Sequence, residues 1–157
     1  MATLPNFRGL GLRDLVLLLV APALAFHAVV AFQFLNWDDT FLVVANPSVN
    51  SPGWEAVRSW FFGFHVNHFH PIVTASFALE HALAGPNPVL FHATNLLLHM
   101  LNTVLVGLVL SRWLTDRSAL LIGTLLFSLH PLRVETVAWV SSRKDLLCAF
   151  FLLLAVL

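Results

Sequence analysis

Apolar residues along the chain gather into long blocks set apart by short polar stretches. Residues 15–35 are apolar except for a few positions such as His27 and Gln33, and Arg8, Arg13 and Asp14 precede them. A helix needs about 20 such residues to cross a hydrocarbon core of about 30 Å, so this block predicts a first transmembrane helix. A cleaved signal peptide is the competing reading. Against it, the block exceeds the about 7 to 15 residues of a signal core, and Asn36-Trp37-Asp38-Asp39 is not a small-residue cleavage site. Residues 90–114 predict a second span and 119–132 a third, joined as a helical hairpin by the polar turn Thr115-Asp116-Arg117-Ser118. The last block, 146–157, would rise only roughly 18 Å at about 1.5 Å per residue. The expectation is therefore all-α: about four polytopic transmembrane helices, the last one truncated, forming the amino-terminal part of a longer membrane domain over 1–157.

Two loops separate these spans on the side taken as outer, 36–88 and 133–145. The first is longer than the about 12 to 15 residues that a structureless loop reaches, so it should hold elements of its own. Ser51 as N-cap and Pro52 at the first helical position are expected to open a short helix with Trp54, Val57, Phe61 and Phe64 on one face. That aromatic face suits either the lipid headgroup boundary or a neighbouring protein surface. Residues 72–84, apolar apart from Thr74, Ser76, Glu80 and His81, are too short to span and read as an interfacial or re-entrant helix. Gly85, Pro86 and Pro88 break the chain before the second span.

Composition narrows the class. The chain of 157 residues is 59% hydrophobic and 10% charged, with a mean hydropathy of +0.85, against about 25% charge in soluble domains. Eight basic and eight acidic residues cancel, so no basic field exists to draw in nucleic acid. Cys148, the single cysteine, cannot form a disulfide within the chain. Arg8, Arg13, Arg112 and Arg117 fall on one side of the predicted spans, and Arg58, Arg133, Arg143 and Lys144 on the other. That tie leaves the positive-inside rule undecided by count. Weight on the first helix sets the amino terminus in the cytoplasm, with Asp38, Asp39, Glu55, Glu80, Glu135 and Asp145 outside.

Several groups could carry chemistry at that outer side. Asp38 and Asp39 follow the first span directly; they are either polar punctuation or a site, since a carboxylate in a water-poor cleft can take a proton from a hydroxyl. His68 and His70 would share one side of an extended segment. A divalent metal there is conceivable but unsupported without further ligands, and no metal residues are assigned. His92, Asn95, His99 and Asn102 form a polar stripe along the second span, read as interhelical hydrogen bonding or as the lining of a polar cavity. In the stretch from His130 to Leu147, Pro131 should end the third helix, and Glu135 needs a partner or a cavity, with Arg133 close by. Arg143 and Lys144 stand at the start of the fourth span, placed either to anchor topology or to hold a lipid phosphate.

The stretches NWDDTFLVVANPSV, HPIVTASFALEHALAG, FHATNLLLHMLNTVL and LLFSLHPLRVETVAWVSSRKDLLCAFF, in that order, resemble the amino-terminal membrane region of TMTC-type proteins, nearer in wording to bacterial members. These are O-mannosyltransferase-like members of the GT-C glycosyltransferase class that usually carry tetratricopeptide repeats. The resemblance implies a multi-pass protein of the bacterial inner membrane, or of the endoplasmic reticulum in a eukaryote. Its implied substrates are a polyprenyl-phosphate-linked sugar and a protein or glycan acceptor, besides membrane lipid. By the same resemblance Asp38 is the base with Asp39 supporting, and Glu135 orients the acceptor or a metal. Arg143, Lys144 and Arg133 meet the carrier phosphate, and His68, His70, Glu80 and His130 line the cavity. A non-catalytic protein that binds or transports the same lipid, and an oligosaccharide ligase, are the alternatives. Ser142 departs from the pattern, which is expected to carry Glu there, and no repeat is visible.

Overall fold

The computed structural model describes residues 10–62 and 69–157, and among these every regular element is helical. The first apolar block forms α1 (Leu12–Phe26), continued by a 3₁₀ segment, His27–Ala31. The first outer loop folds into a π turn (Thr40–Val44), α2 (Pro47–Asn50), α3 (Trp54–Phe62) and α4 (Pro71–Ala84). Then come α5 (Pro88–Leu110), α6 (Arg117–Leu129), α7 (Arg133–Ala138), a 3₁₀ turn (Val140–Ser142) and α8 (Arg143–Val156).

Local chemistry sets most boundaries. Asn87 caps α5 by accepting from the Val89 amide at 3.1 Å with Pro88 at the first helical position, and Asp116 caps α6 by accepting from Ala119 at 2.7 Å. α4 also starts on a proline, and stops where Gly85 turns to φ 65°. Pro131 excludes the helical conformation at His130, whose ψ of 134° ends α6. The expected helix start at Ser51-Pro52 is not realised. Ser51 terminates α2, and α3 begins at Trp54 with the Gly53 carbonyl accepting from Val57. Of the expected aromatic face, Trp54 and Phe61 are exposed and not packed on the protein, the buried residue of α3 is Trp60, and Phe64 lies outside the described residues.

The long helices alternate in direction around α5, which packs against α1, α6 and α8. At one end, Arg117 of α6 grips the Asp14 carboxylate of α1 through Nη2 and Nε at 2.5 and 3.2 Å, and Arg112 Nη1 donates to the Val156 carbonyl at 2.7 Å. The start of α1, the end of α5, the start of α6 and the end of α8 therefore share that end. Where α5 crosses α1, a Cβ on Gly107 would stand 3.0 Å from Leu18 Cδ1, so glycine sets the close approach.

Polar side chains share the interior with the apolar core, while many large apolar side chains face outward. Asn95, Thr103, Thr124 and Ser128 are fully buried, whereas Val16, Val20 and Leu24 of α1, Leu97 of α5 and Ile122 and Leu126 of α6 are exposed. The helical segments Leu12–Ala31 and Pro88–Leu110, of 20 and 23 residues, are long and apolar enough to cross a membrane. The other two predicted spans are helices in the expected places. At 13 and 14 residues, α6 and α8 are shorter than the about 20 that a perpendicular crossing takes.

The polar stripe of α5 is what joins the helices. Asn95 donates to the Trp139 carbonyl at 3.0 Å, His99 Nε2 to the Ser128 carbonyl at 2.9 Å, and Asn102 to the Leu146 carbonyl at 2.9 Å. Thr103 Oγ1 adds a bond to Ser128 Oγ at 3.0 Å. These contacts realise the interhelical reading for Asn95, His99 and Asn102, whereas both ring nitrogens of the buried His92 lack a hydrogen-bond partner among the described residues. Around Arg143 the linkage is densest. Its guanidinium, 0% exposed, donates from Nε to Asn95 Oδ1 (2.8 Å), from Nη1 to Glu80 Oε2 (2.8 Å) and Ser76 Oγ (3.1 Å), and from Nη2 to the Phe91 carbonyl (2.9 Å). The Phe77 ring lies 4.6 Å away beneath the plane of charge. One side chain thus fastens the start of α8 to both α4 and α5.

Removing one partner of a buried ion pair leaves the other charge uncompensated, at a cost of about 3–5 kcal/mol. Glu80→Ala is therefore expected to lower stability by that order, with Glu80→Gln, which keeps an acceptor oxygen, costing less. Thermal unfolding of the detergent-solubilised protein measures both, and equal midpoints for the two variants would contradict the assignment.

Candidate functional site

Beyond α1 the chain makes a tight turn in which the Trp37 amide donates to the Leu35 carbonyl at 2.8 Å and the Thr40 amide to Trp37 at 3.1 Å. That turn sends the two neighbouring aspartates in different directions. Asp39 is fully buried. Its Oδ2 accepts from the Leu35 amide at 3.0 Å, and its Oδ1 accepts from both the amide and the hydroxyl of Ser141, the amide at 2.9 Å. Asp38 is half-buried, and no hydrogen bond or ion pair among the described residues engages its carboxylate. Trp37 is 72% exposed, with its ring centroid 6.5 Å from that of Trp139. Residues 37–39 and 139–141 therefore lie against one another.

The two cations expected to act together at the start of the last helix occupy different places. Arg143 is enclosed by protein, with its donors directed to α4 and α5 as described above, and it presents no face at the surface. Lys144 is half-buried and lines a cleft of about 230 Å³ between the start of α4 and one side of α8, with His70, Ile72, Leu147, Cys148 and Phe151 among its walls. Lys144 is the charged side chain of this mostly apolar cleft, with His70 beside it in the wall. A larger groove of about 320 Å³ on α6, bounded by Ile122, Leu125, Leu126, Leu129, His130 and Pro131, holds no charged side chain. Size alone does not make it the chemical centre.

The remaining candidates are scattered around this corner. Glu80 is buried and bound to Arg143, so it is not an open cavity wall. Glu135 is exposed on α7, and the expected pairing with Arg133 does not form. Residues two apart on a helix point away from each other, and Arg133 instead places its Cζ 4.5 Å over the Phe127 ring, with its Nε buried and unbonded. His130 is exposed and accepts from the Leu132 amide at 3.2 Å. His70 precedes α4 and faces the Lys144 cleft, whereas His68 lies outside the described residues. Among the described residues, no three His, Cys, Asp or Glu side chains gather as a metal set.

Sequence reasoning passed over Ser141, whose backbone and hydroxyl both bind Asp39. It also passed over Ser76 as a ligand of Arg143. One signal could have exposed the second. Glu80 sits in an apolar helix too short to span, so its carboxylate demands a buried cation, and Arg143 is one of only a few on the outer side.

The chain is similar to curated proteins named protein O-mannosyl-transferase TMTC. It is 32% identical to human TMTC1 over 164 aligned residues, covering 96% of this chain and 18% of that protein. It is 32% identical to Drosophila melanogaster Tmtc1, covering 92% of this chain and 18% of the relative. It is 38% identical to mouse TMTC4 over 104 residues, covering 57% of this chain and 14% of that protein. The chain thus spans less than a fifth of the length of these relatives. No family model and no solved structure matches it.

Proposed function

The chain belongs to the TMTC-like family, and from that premise we propose that it takes part in moving a sugar from a polyprenyl-phosphate carrier to an acceptor hydroxyl on a protein or glycan. The relatives' printed names, protein O-mannosyl-transferase, support the transferase class and mannose as the sugar; the GT-C architecture is part of the proposal. The observation that carries the residue assignment is the contrast between the two aspartates. Asp39 is saturated with hydrogen bonds, while Asp38, next to it, is left without a partner among the described residues.

In this reading Asp38 takes the proton of the acceptor hydroxyl as its oxygen attacks the anomeric carbon. The bond between that carbon and the carrier's phosphate oxygen breaks on the opposite face, and the configuration inverts. The departing phosphate gains negative charge, which Lys144 is placed to meet while the apolar walls of its cleft receive the first part of the lipid chain. Arg143 contributes from behind, fixing the helix start from which Lys144 extends. Glu135 and Arg133 remain the proposed acceptor-side and carrier-side contacts on α7. The protein sits in the membrane through several helices, in a bacterial inner membrane, with its amino terminus in the cytoplasm and this corner on the opposite side. The lipid cleft alone would suit a carrier-binding protein without chemistry, and Asp38 is what separates the two readings.

General bases contribute typically about 10²–10⁴-fold to rate. Asp38→Asn, which keeps shape and removes the base, is expected to lower kcat by at least about 100-fold in a transfer assay with polyprenyl-phosphate mannose. Unchanged transfer would remove Asp38 from the chemistry. Lys144→Ala is expected to raise the donor KM by roughly tenfold, with Lys144→Arg close to wild type, since the lost contact is a charge-assisted one worth about 1.5–3 kcal/mol. A donor KM that ignores the charge at position 144 would place the carrier elsewhere.

A further inference from the structure

We propose that Asp39 and Ser141 are positioning residues, a latch that sets the Asp38 carboxylate in register with the start of α8. The inference rests on the sugar-transfer reading for its chemistry, but its geometry stands apart from that reading. Asp39 and Ser141 are 102 positions apart in sequence and meet with both groups buried, at 0% and 3% exposure. Three donors converge on one carboxylate: the Leu35 amide on Oδ2, and the amide and hydroxyl of Ser141 on Oδ1. A buried carboxyl group that accepts from three donors fixed on two segments is rigidly oriented. The residues on either side carry the functional groups. Asp38 is joined to Asp39 by one peptide unit, about 3.8 Å between Cα atoms, and Arg143 and Lys144 follow Ser141 within three residues.

The latch joins two segments that are each already pinned. On one side, Arg143 locks the start of α8 to α4 and α5. On the other, Asp39 ties the turn beyond α1 to Leu35. Asn95 reinforces the same corner by donating to the Trp139 carbonyl while accepting from Arg143. The position of Asp38 relative to Lys144 is thereby determined through Ser141 and not through a direct contact between them. A misplacement of about 1 Å at a reacting group can cost about 100-fold in rate. The latch therefore acts on the rate of transfer, whereas the cleft of Lys144 governs donor binding.

The test uses the full chain in lipid, with Ser141→Ala and Ser141→Thr. Ser141→Ala retains the amide bond to Asp39 but removes the hydroxyl; Ser141→Thr restores a hydroxyl at the same position. The expected result for Ser141→Ala is a kcat about tenfold lower, with the KM for polyprenyl-phosphate mannose within about twofold of wild type. Ser141→Thr is expected to recover most of the rate. Hydrogen exchange at the Leu35 amide, the other ligand of Asp39, should quicken in Ser141→Ala and not in Ser141→Thr. Unchanged kcat in a folded Ser141→Ala protein overturns the positioning role, and so does a loss of rate that only follows the loss of folded protein. If the wild-type chain transfers no sugar, the exchange alone decides: faster exchange at Leu35 in Ser141→Ala upholds the latch, and unaltered exchange overturns it.

Discussion

A guanidinium without access to water holds this corner of the molecule together. Arg143 has its Nε and both Nη atoms bonded to protein, and its partners come from α4 and α5, while its own backbone begins α8. A cation in such surroundings is tolerable only when every neighbour is in place, because the cost of desolvating it is recovered through the Glu80 charge and the surrounding dipoles. The arrangement is accordingly all-or-nothing. Helix α4 cannot drift from α5 without stranding the charge, so a helix of 14 residues, too short to cross a membrane, is rigidly attached to one long and apolar enough to do so.

The same logic runs along α5 with weaker bonds. Asn95, His99 and Asn102 each reach a backbone carbonyl on another segment. Carbonyls at helix ends and turns are natural recipients, since they lack helical donors of their own. Trp139 and Ser128 lie at such positions, close to the breaks imposed by the 3₁₀ turn and by Pro131. Interruptions of the helices and the polar stripe are thus complementary features of one packing scheme. The apolar exterior is left for lipid, and the corner bearing Asp38 and Lys144 is built on the most cross-linked end of the bundle.

The helices were legible in the sequence because their signals are local: length of apolar run, Asn and Asp caps, and proline stops. The stripe on α5 was also legible, since four polar residues on one face of an apolar helix admit few explanations. The functional corner was only partly so. Asp38 and Asp39 are indistinguishable as letters, and only the turn at Leu35–Thr40 and the approach of Ser141 give them different surroundings. Likewise, Arg143 beside Lys144 at a predicted membrane boundary reads as a surface pair. Burial of the first depends on Glu80 and Asn95, 63 and 48 positions upstream. Contacts at such separations are set by packing and leave no periodicity to read.

The distance in sequence between α5 and its partners has a consequence for how the protein is made. The acceptors for Asn95 and Asn102 lie 44 residues downstream, at Trp139 and Leu146. At about 5–20 residues per second, a ribosome needs roughly 2 to 9 s to produce them after α5 has emerged. Throughout that interval the carboxamides of Asn95 and Asn102 lack the carbonyls to which they donate in the folded protein. The final packing of α5 is therefore out of reach until α8 has been made, so the bundle closes late in the synthesis of these residues however early its central helix forms.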